Sequence, residues 1–370
     1  MKNAKITCVQ LFSLLVLFQL GTSIVVGFGL DAKKDAWIAI LLGSWIGILI
    51  FLIFHQLYIL YSKPLTSYSR DILGKYLGFL VGIFYVVYFL YGSSRDLRDV
   101  GDLLASSVYN VTPLFVINLF MMVAIAYVLN KGIVVLARLS ELYLLILICL
   151  SFLGNMLVLI SGLVEFNNLF PILENGFEPI LTTIFPNTTV FPFGELVCFT
   201  MVFHYLNTKE NSRKIGIYSI LLSGLILAYS TAINVAVLGM EITQDSTFPL
   251  FSTISLINIA DFIQRLDAIV VLTLFIGAFF KTSLFYYAAV IAASDLFKVK
   301  QQTLVLPFGI IILLLSMFIA TDFAEHLEEG KLSLKTIHAI FGLFIPLLLL
   351  IIAKFRKKGQ KQIVNQSTEG

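Results

Sequence analysis

The chain has 370 residues, 59% hydrophobic and 13% charged, with a mean hydropathy of +0.95. Average soluble chains carry about 45–50% apolar and about 25% charged residues, so this little charge cannot coat a globular surface. That excludes a soluble enzyme, a disordered protein and a nucleic-acid binder, the last also by a net charge of only +3 from 25 Lys+Arg and 22 Asp+Glu.

A bilayer core of about 30 Å needs roughly 20 apolar helical residues to cross. Ten such runs follow one another at 8–30, 36–61, 77–106, 113–130, 133–161, 188–206, 214–239, 262–293, 303–321 and 334–353. They predict an all-α polytopic membrane protein, a single integral domain over 1–353 with a basic, then polar, unstructured tail over 354–370. The first run follows Lys2 and Lys5 as a signal peptide would. Its apolar stretch exceeds the usual core of about 7–15 residues and lacks a small-residue cleavage site, so it reads as a retained helix.

Lys and Arg concentrate in cytoplasmic loops. With the N-terminus inside, inner segments hold sixteen (among them Lys2, Lys63, Arg70, Lys75, Lys209 and Lys298) and outer loops hold four, Lys33, Lys34, Lys331 and Lys335. Both termini are therefore expected in the cytoplasm. Cys8, Cys149 and Cys198 lie in apolar runs without metal spacing and read as packed thiols. Between the spans, 62–76, 174–186 and 247–261 mix apolar and polar residues at helical spacing, as interfacial segments do.

Two spans are interrupted. The first carries Gly21-Thr22-Ser23 and Gly27-Phe28-Gly29; the sixth opens with Phe191-Pro192-Phe193-Gly194-Glu195. Glycine costs a helix about 1 kcal/mol and proline about 3. The breaks occupy matching positions if the spans divide into halves of about 8–161 and 188–353, and paired breaks point to a transporter-type binding site at the midplane. Gly43 and Gly47 in the second span read as close-packing residues.

Ionisable residues inside a membrane are expensive and mark function or pairing. Glu195 follows the sixth-span break. Lys281 lies in the eighth span, with Thr282 and Tyr286 one turn apart on one face. It either pairs with Glu195 or sets an ammonium against the broken first helix, and the sequence leaves both open. Tyr88, Gly92 and Asp96 recur every fourth residue along the third span. Arg95 with Asp99, and Arg98 with Asp102, have i,i+4 pairing distance; Arg138 and Glu141 read as a structural or gate pair near the cytoplasmic surface. His55, His204, His326 and His338 show no metal spacing and read as interfacial or packed. No nucleophile–base spacing, metal cluster or phosphate loop is present, so no catalytic residue, metal or cofactor is expected.

Four segments, TSYSRDILGKYLG at 66–78, KGIVVLARLSEL at 131–142, FPFGELVCFTMVF at 191–203 and IQRLDAIVVLTLFIGAFFKTS at 263–283, together resemble the permease-like B subunit of spore germinant receptors. The resemblance spans nearly the whole chain. It implies a fold like that of amino acid/polyamine/organocation (LeuT-like) transporters, two inverted five-helix repeats with helices 1 and 6 broken. It also implies a receptor with a larger A subunit and a lipoprotein C subunit in the spore inner membrane, sensing amino acids, nucleosides or sugars. Carried onto this chain, the ligand pocket would involve Gly27, Tyr88, Gly92, Asp96, Gly194, Glu195, Thr282 and Tyr286, with Lys281 beside them. The alternative is an autonomous secondary amino acid transporter using the same pocket.

Overall fold

Residues 5–107, 109, 111–207, 211–257 and 266–368 are described in a computed structural model of the chain. Lys2, Lys209, Arg265, the start of the eighth run (262–265) and the end of the 247–261 segment lie outside them.

The first run folds only in part. Helix α1 (Cys8–Leu20) starts at a capping box, with the Gln10 amide donating to Thr7 Oγ1 at 3.2 Å and the Thr7 amide donating to Gln10 Oε1 at 3.0 Å. It stops at Gly21, whose φ of +24° no L side chain adopts readily. Long apolar helices follow where the sequence predicts them: α2 (Ala36–Tyr61), α4 (Lys75–Ser107), α5 (Leu114–Lys131), α6 (Ile133–Ile160), α8 (Ser212–Leu238), α11 (Asp267–Phe297) and α12 (Gln301–Phe318). Short α3 (Leu65–Leu73), α7 (Glu178–Thr183), α9 (Met240–Asp245) and α10 (Pro249–Ser255) occupy the connections. α13 (Phe323–Ser333) runs through the wide turns of 334–344 into α14 (Ile345–Thr368).

Eight described helices are long and apolar enough to cross a bilayer. The two remaining runs are the interrupted ones, α1 and the 3-10 segment Gly194–Met201. Three boundaries differ from expectation. α11 extends to Phe297, past the expected end at 293, with Lys281 midway along it. The tenth run begins earlier, as α13, because the acidic stretch after Asp322 is itself helical. The tail continues α14 to Thr368 rather than being unstructured; its Lys, Arg and Gln are good helix formers and it holds no proline.

Lipid tails are as apolar as leucine, so packing rather than water exclusion holds such helices together, and small residues set the distances. α11 lies centrally against α4, with Gly92 beneath the Phe285 ring and Gly82 beneath Leu296. A Cβ on Gly277 would meet the Gly21 carbonyl at 2.5 Å, so this glycine lets the break in the first span touch α11. Gly43 and Gly47 do the same for Thr188 and Phe193 of the sixth span, as expected. Around them Phe18, Phe199 and Phe285 interlock with centroids 5.3–5.4 Å apart, and Tyr88 stacks on Phe341 at 4.9 Å. Cys198 is buried as expected, whereas Cys149 is exposed on the outside of α6.

One end of the bundle is closed. Asp295, near the end of α11, accepts from Thr66 (2.7 Å), Ser67 (2.8 Å) and Arg70 (2.7 Å) around α3, and pairs with Lys298 at 3.1 Å. The N-terminal strand-like residue Ile6 donates to the Tyr205 carbonyl and accepts from the Asn207 amide, while Gln301 bridges Tyr205 and Tyr287. Glu141 accepts from Gln10 at 3.4 Å, tying α6 to α1.

Candidate functional site

The opposite end opens into a cavity of about 270 Å³. Its mouth is lined by Asp31, Asn187 and Gln244 from connections and by Lys331 of α13, and its floor by Asp96, Glu195 and His338. The floor lies where both broken spans meet α4, and the breaks explain how. Freed of a regular helix, 26–31 and 187–195 can bend inward as backbone and still leave space between them.

Lys281 sits just beneath the floor and is fully buried. It stands one turn along α11 from Gly277, so the close approach of Gly21 brings Lys281 beside the first-span break. Its Nζ lies 2.9 Å from Glu195 Oε2, 3.2 Å from Asp96 Oδ1 and 3.5 Å from Thr22 Oγ1, and 4.2 Å from the centre of the Phe191 ring. A buried charge persists only when paired, so this lysine is held by two carboxylates and an aromatic face. The two alternatives left open by the sequence are both realised: Lys281 pairs with Glu195 and also places its ammonium against the broken first helix.

The two carboxylates are not equivalent. Glu195 is in contact on both oxygens, Oε2 with Lys281 and Oε1 with His338 Nε2 at 3.2 Å. Asp96 touches Lys281 only through Oδ1; its Oδ2 is buried, has no hydrogen-bond partner among the described residues, and belongs to a side chain that lines the cavity. A buried acceptor left unmade costs about 1–3 kcal/mol, which a ligand donor would recover.

Of the predicted pocket residues, Gly27, Gly92, Asp96 and Glu195 line the cavity. The others do not. Tyr88 is buried below it between Phe341 and His338. Gly194 packs its carbonyl against Gly342, and the Thr282 carbonyl accepts from Ser93. Tyr286 faces α12, donating to the Val305 carbonyl. The i,i+4 spacing of Thr282 and Tyr286 is real, but that face of α11 meets α4 and α12 instead of open space.

Above the floor the expected Arg95–Asp99 pair is replaced. α13 lies across this end of α4 and takes both residues: Arg95 pairs with Glu329 and donates to the His326 carbonyl, and His326 Nε2 bonds Asp99 at 2.8 Å. Tyr91 donates to Glu329, its hydroxyl oxygen is also within hydrogen-bond distance of Ser333 Oγ, and Ser333 is bonded to His338 at 2.9 Å. The Arg98–Asp102 pair forms as predicted, at 2.6 Å. His326 and His338 are thus packed, as read from the sequence, rather than interfacial, and His338 also lines the cavity. Their partners lie more than a hundred residues away in sequence, and only the acidic outer half of the third span hinted at a need for them.

The chain is similar to known proteins both in sequence and in fold. A family model described as "Spore germination protein" matches residues 5–324. Spore germination protein KB of Bacillus subtilis (strain 168) is 42% identical over 366 residues, 98% of each chain. Among solved structures, Mhp1, a nucleobase-cation-symport-1 family transporter in a closed conformation with bromovinylhydantoin bound, superposes with a TM-score of 0.69 at 11% identity, over 92% of this chain and 78% of its own. MhsT in complex with L-phenylalanine gives 0.67 at 16% identity, over 95% and 89%. At those identities the likeness establishes the fold alone, that of LeuT-type transporters.

Proposed function

This chain belongs to the spore germination protein (spore permease) family, and on that premise we propose that it is the permease-like subunit of a spore germinant receptor, binding a small nutrient germinant in the cavity. The observation that carries this reading is the buried, unpartnered Asp96 Oδ2 at the floor of a cavity bounded by both broken spans. That oxygen accepts a hydrogen bond from the ligand's ammonium or hydroxyl, while Lys281 and His338 hold Glu195 beside it. An amino acid or a molecule of similar size and polarity fits such a floor.

A ligand shifts a conformational equilibrium only by its differential affinity for the two states. Satisfying Asp96 favours whichever arrangement of the broken spans encloses the ligand, and the receptor responds. In this reading the partners are an A subunit and a lipoprotein C subunit, the membrane is the inner membrane of the spore, both termini are cytoplasmic, and the cavity faces outward. The sixteen-to-four distribution of Lys and Arg supports that orientation.

The test uses spores in which this receptor is the only one present, screened against amino acids, nucleosides and sugars, then compared with Asp96→Asn. The variant should need about tenfold more of the active germinant for half-maximal response, ~1.4 kcal/mol, at unchanged protein level. An unshifted curve contradicts the role of Asp96.

A further inference from the structure

Two elements at the cavity end present opposite surfaces. α13 exposes Asp322, Glu325, Glu328 and Lys331 to its surroundings, as a water-facing helix does. α7 and its flanks expose Phe177 (62%), Leu181 (64%) and Phe185 (46%), spaced four residues apart, with Glu178 and Thr182 exposed at their borders as the polar edge of the segment. The other side of the same segment is also apolar: Ile180 and Ile184 are buried on Ala32 and Ala39. A water-facing protein surface rarely carries a contiguous apolar patch of this kind without a partner.

The neighbourhood identifies that partner. Ala39 stands in the first turns of α2, and from the next turn onward α2 exposes Leu42, Trp45 and Leu49, which face hydrocarbon because α2 crosses the membrane. The connection leading to α7 is pinned at this level. Asp35 accepts from the Leu173 amide at 3.1 Å, and Lys34 pairs with Glu174 at 2.9 Å and donates to the Phe170 carbonyl at 3.1 Å. The exposed edge of α7 therefore continues the lipid-facing side of α2.

We propose that α7, with Phe177 and Phe185, is immersed in the leaflet on the cavity side, and that bilayer lipid is the partner of this surface. Amphipathic segments of this kind sink their apolar face about 5–10 Å into the boundary between headgroups and acyl chains. The consequence reaches the site through a few residues. α7 passes directly into Ile184–Thr188, and Asn187 both lines the cavity and donates to Asp31 across its mouth at 2.9 Å. The lipid seat of α7 thus fixes the height of one wall of the mouth. This inference stands whether or not the cavity binds a germinant.

The experiment places a single tryptophan at Leu181 in the full chain with Trp37→Phe and Trp45→Phe, reconstituted in phosphatidylcholine vesicles brominated at shallow acyl carbons. Leu181→Trp, held about 5–10 Å into the boundary, should be quenched by the brominated lipid and little by aqueous iodide. Glu328→Trp on α13, an exposed position on its polar face, should show the reverse. Phe177→Trp repeats the measurement if Leu181→Trp does not reconstitute. Quenching of the α7 tryptophan by iodide but not by brominated lipid, or by neither as under a protein partner, overturns the proposal.

Discussion

Asp295 and Asp96 are two carboxylates on the same packed helix pair, one near the end of α11 and one at the cavity floor beside mid-helix Lys281, and their surroundings differ in kind. Asp295 is saturated: two hydroxyls, a guanidinium and an ammonium fix it, and it ties α11 to α3 at the closed end. Asp96 keeps one oxygen unmade at the base of an open cavity. A saturated acceptor acts as a lock, whereas an unsaturated buried one carries a free-energy cost until a ligand arrives. The difference between the two ends is therefore a difference in what each can still bind, more than in residue type.

The largest expected effect breaks the cavity end outright. Lys281→Met leaves Glu195 and Asp96 facing each other without a cation, and breaking a buried pair costs about 3–5 kcal/mol. The variant should be scarce in membranes and melt early. Adding Glu195→Gln removes one of the two orphaned charges and should restore much of the protein level; no recovery would mean that Lys281 supports the fold through something other than its charge.

How much of this was legible in the sequence follows from what each signal depends on. Spans are read from composition within one run, so the ten runs were found, and the breaks were found because Gly21, Pro192 and their neighbours disrupt a helix locally. Glu195 and Lys281 stood out because charge inside an apolar run is rare. The pairing of Asp96 with Lys281, and of His326 and His338 with Asp99 and Glu195, depends on which helices meet, and one sequence carries no such signal. The same limit explains why Thr282 and Tyr286 share a face that turned out to be packed, and why Arg95 chose Glu329 of α13 over its neighbour Asp99.

A second variant sharpens the contrast at intermediate size. Glu195→Gln keeps the side chain's shape and leaves Lys281 paired with Asp96, so protein level should hold while half-maximal germinant concentration rises about tenfold, ~1.4 kcal/mol. An unchanged dose–response would remove Glu195 from ligand binding and gating.

At the closed end the expected costs are smaller. Asp295→Asn weakens a partly exposed cluster (side chains of Arg70 and Asp295 22% and 15% exposed) and should cost about 1 kcal/mol, read as a lower thermal midpoint with an unshifted germinant curve. A shifted curve would show that the lock at this end also reports on the ligand. Smallest of all, Lys63→Ala removes an exposed pair with Asp71 at 2.7 Å and should change stability by less than about 0.5 kcal/mol.

Thiol labelling of a cavity-lining position reports both which side of the membrane the cavity opens to and whether a germinant occupies it. Leu334 lines the cavity, so Leu334→Cys, in a chain with Cys8, Cys149 and Cys198 replaced by serine, is exposed to a membrane-impermeant thiol reagent applied from outside. A second chain with cysteine at Lys357 serves as the cytoplasmic control. Leu334→Cys should label from outside and be protected by the active germinant, while the control position stays unlabelled. Labelling of Leu334→Cys only after the membrane is permeabilised, or labelling that the germinant leaves untouched, would contradict that expectation.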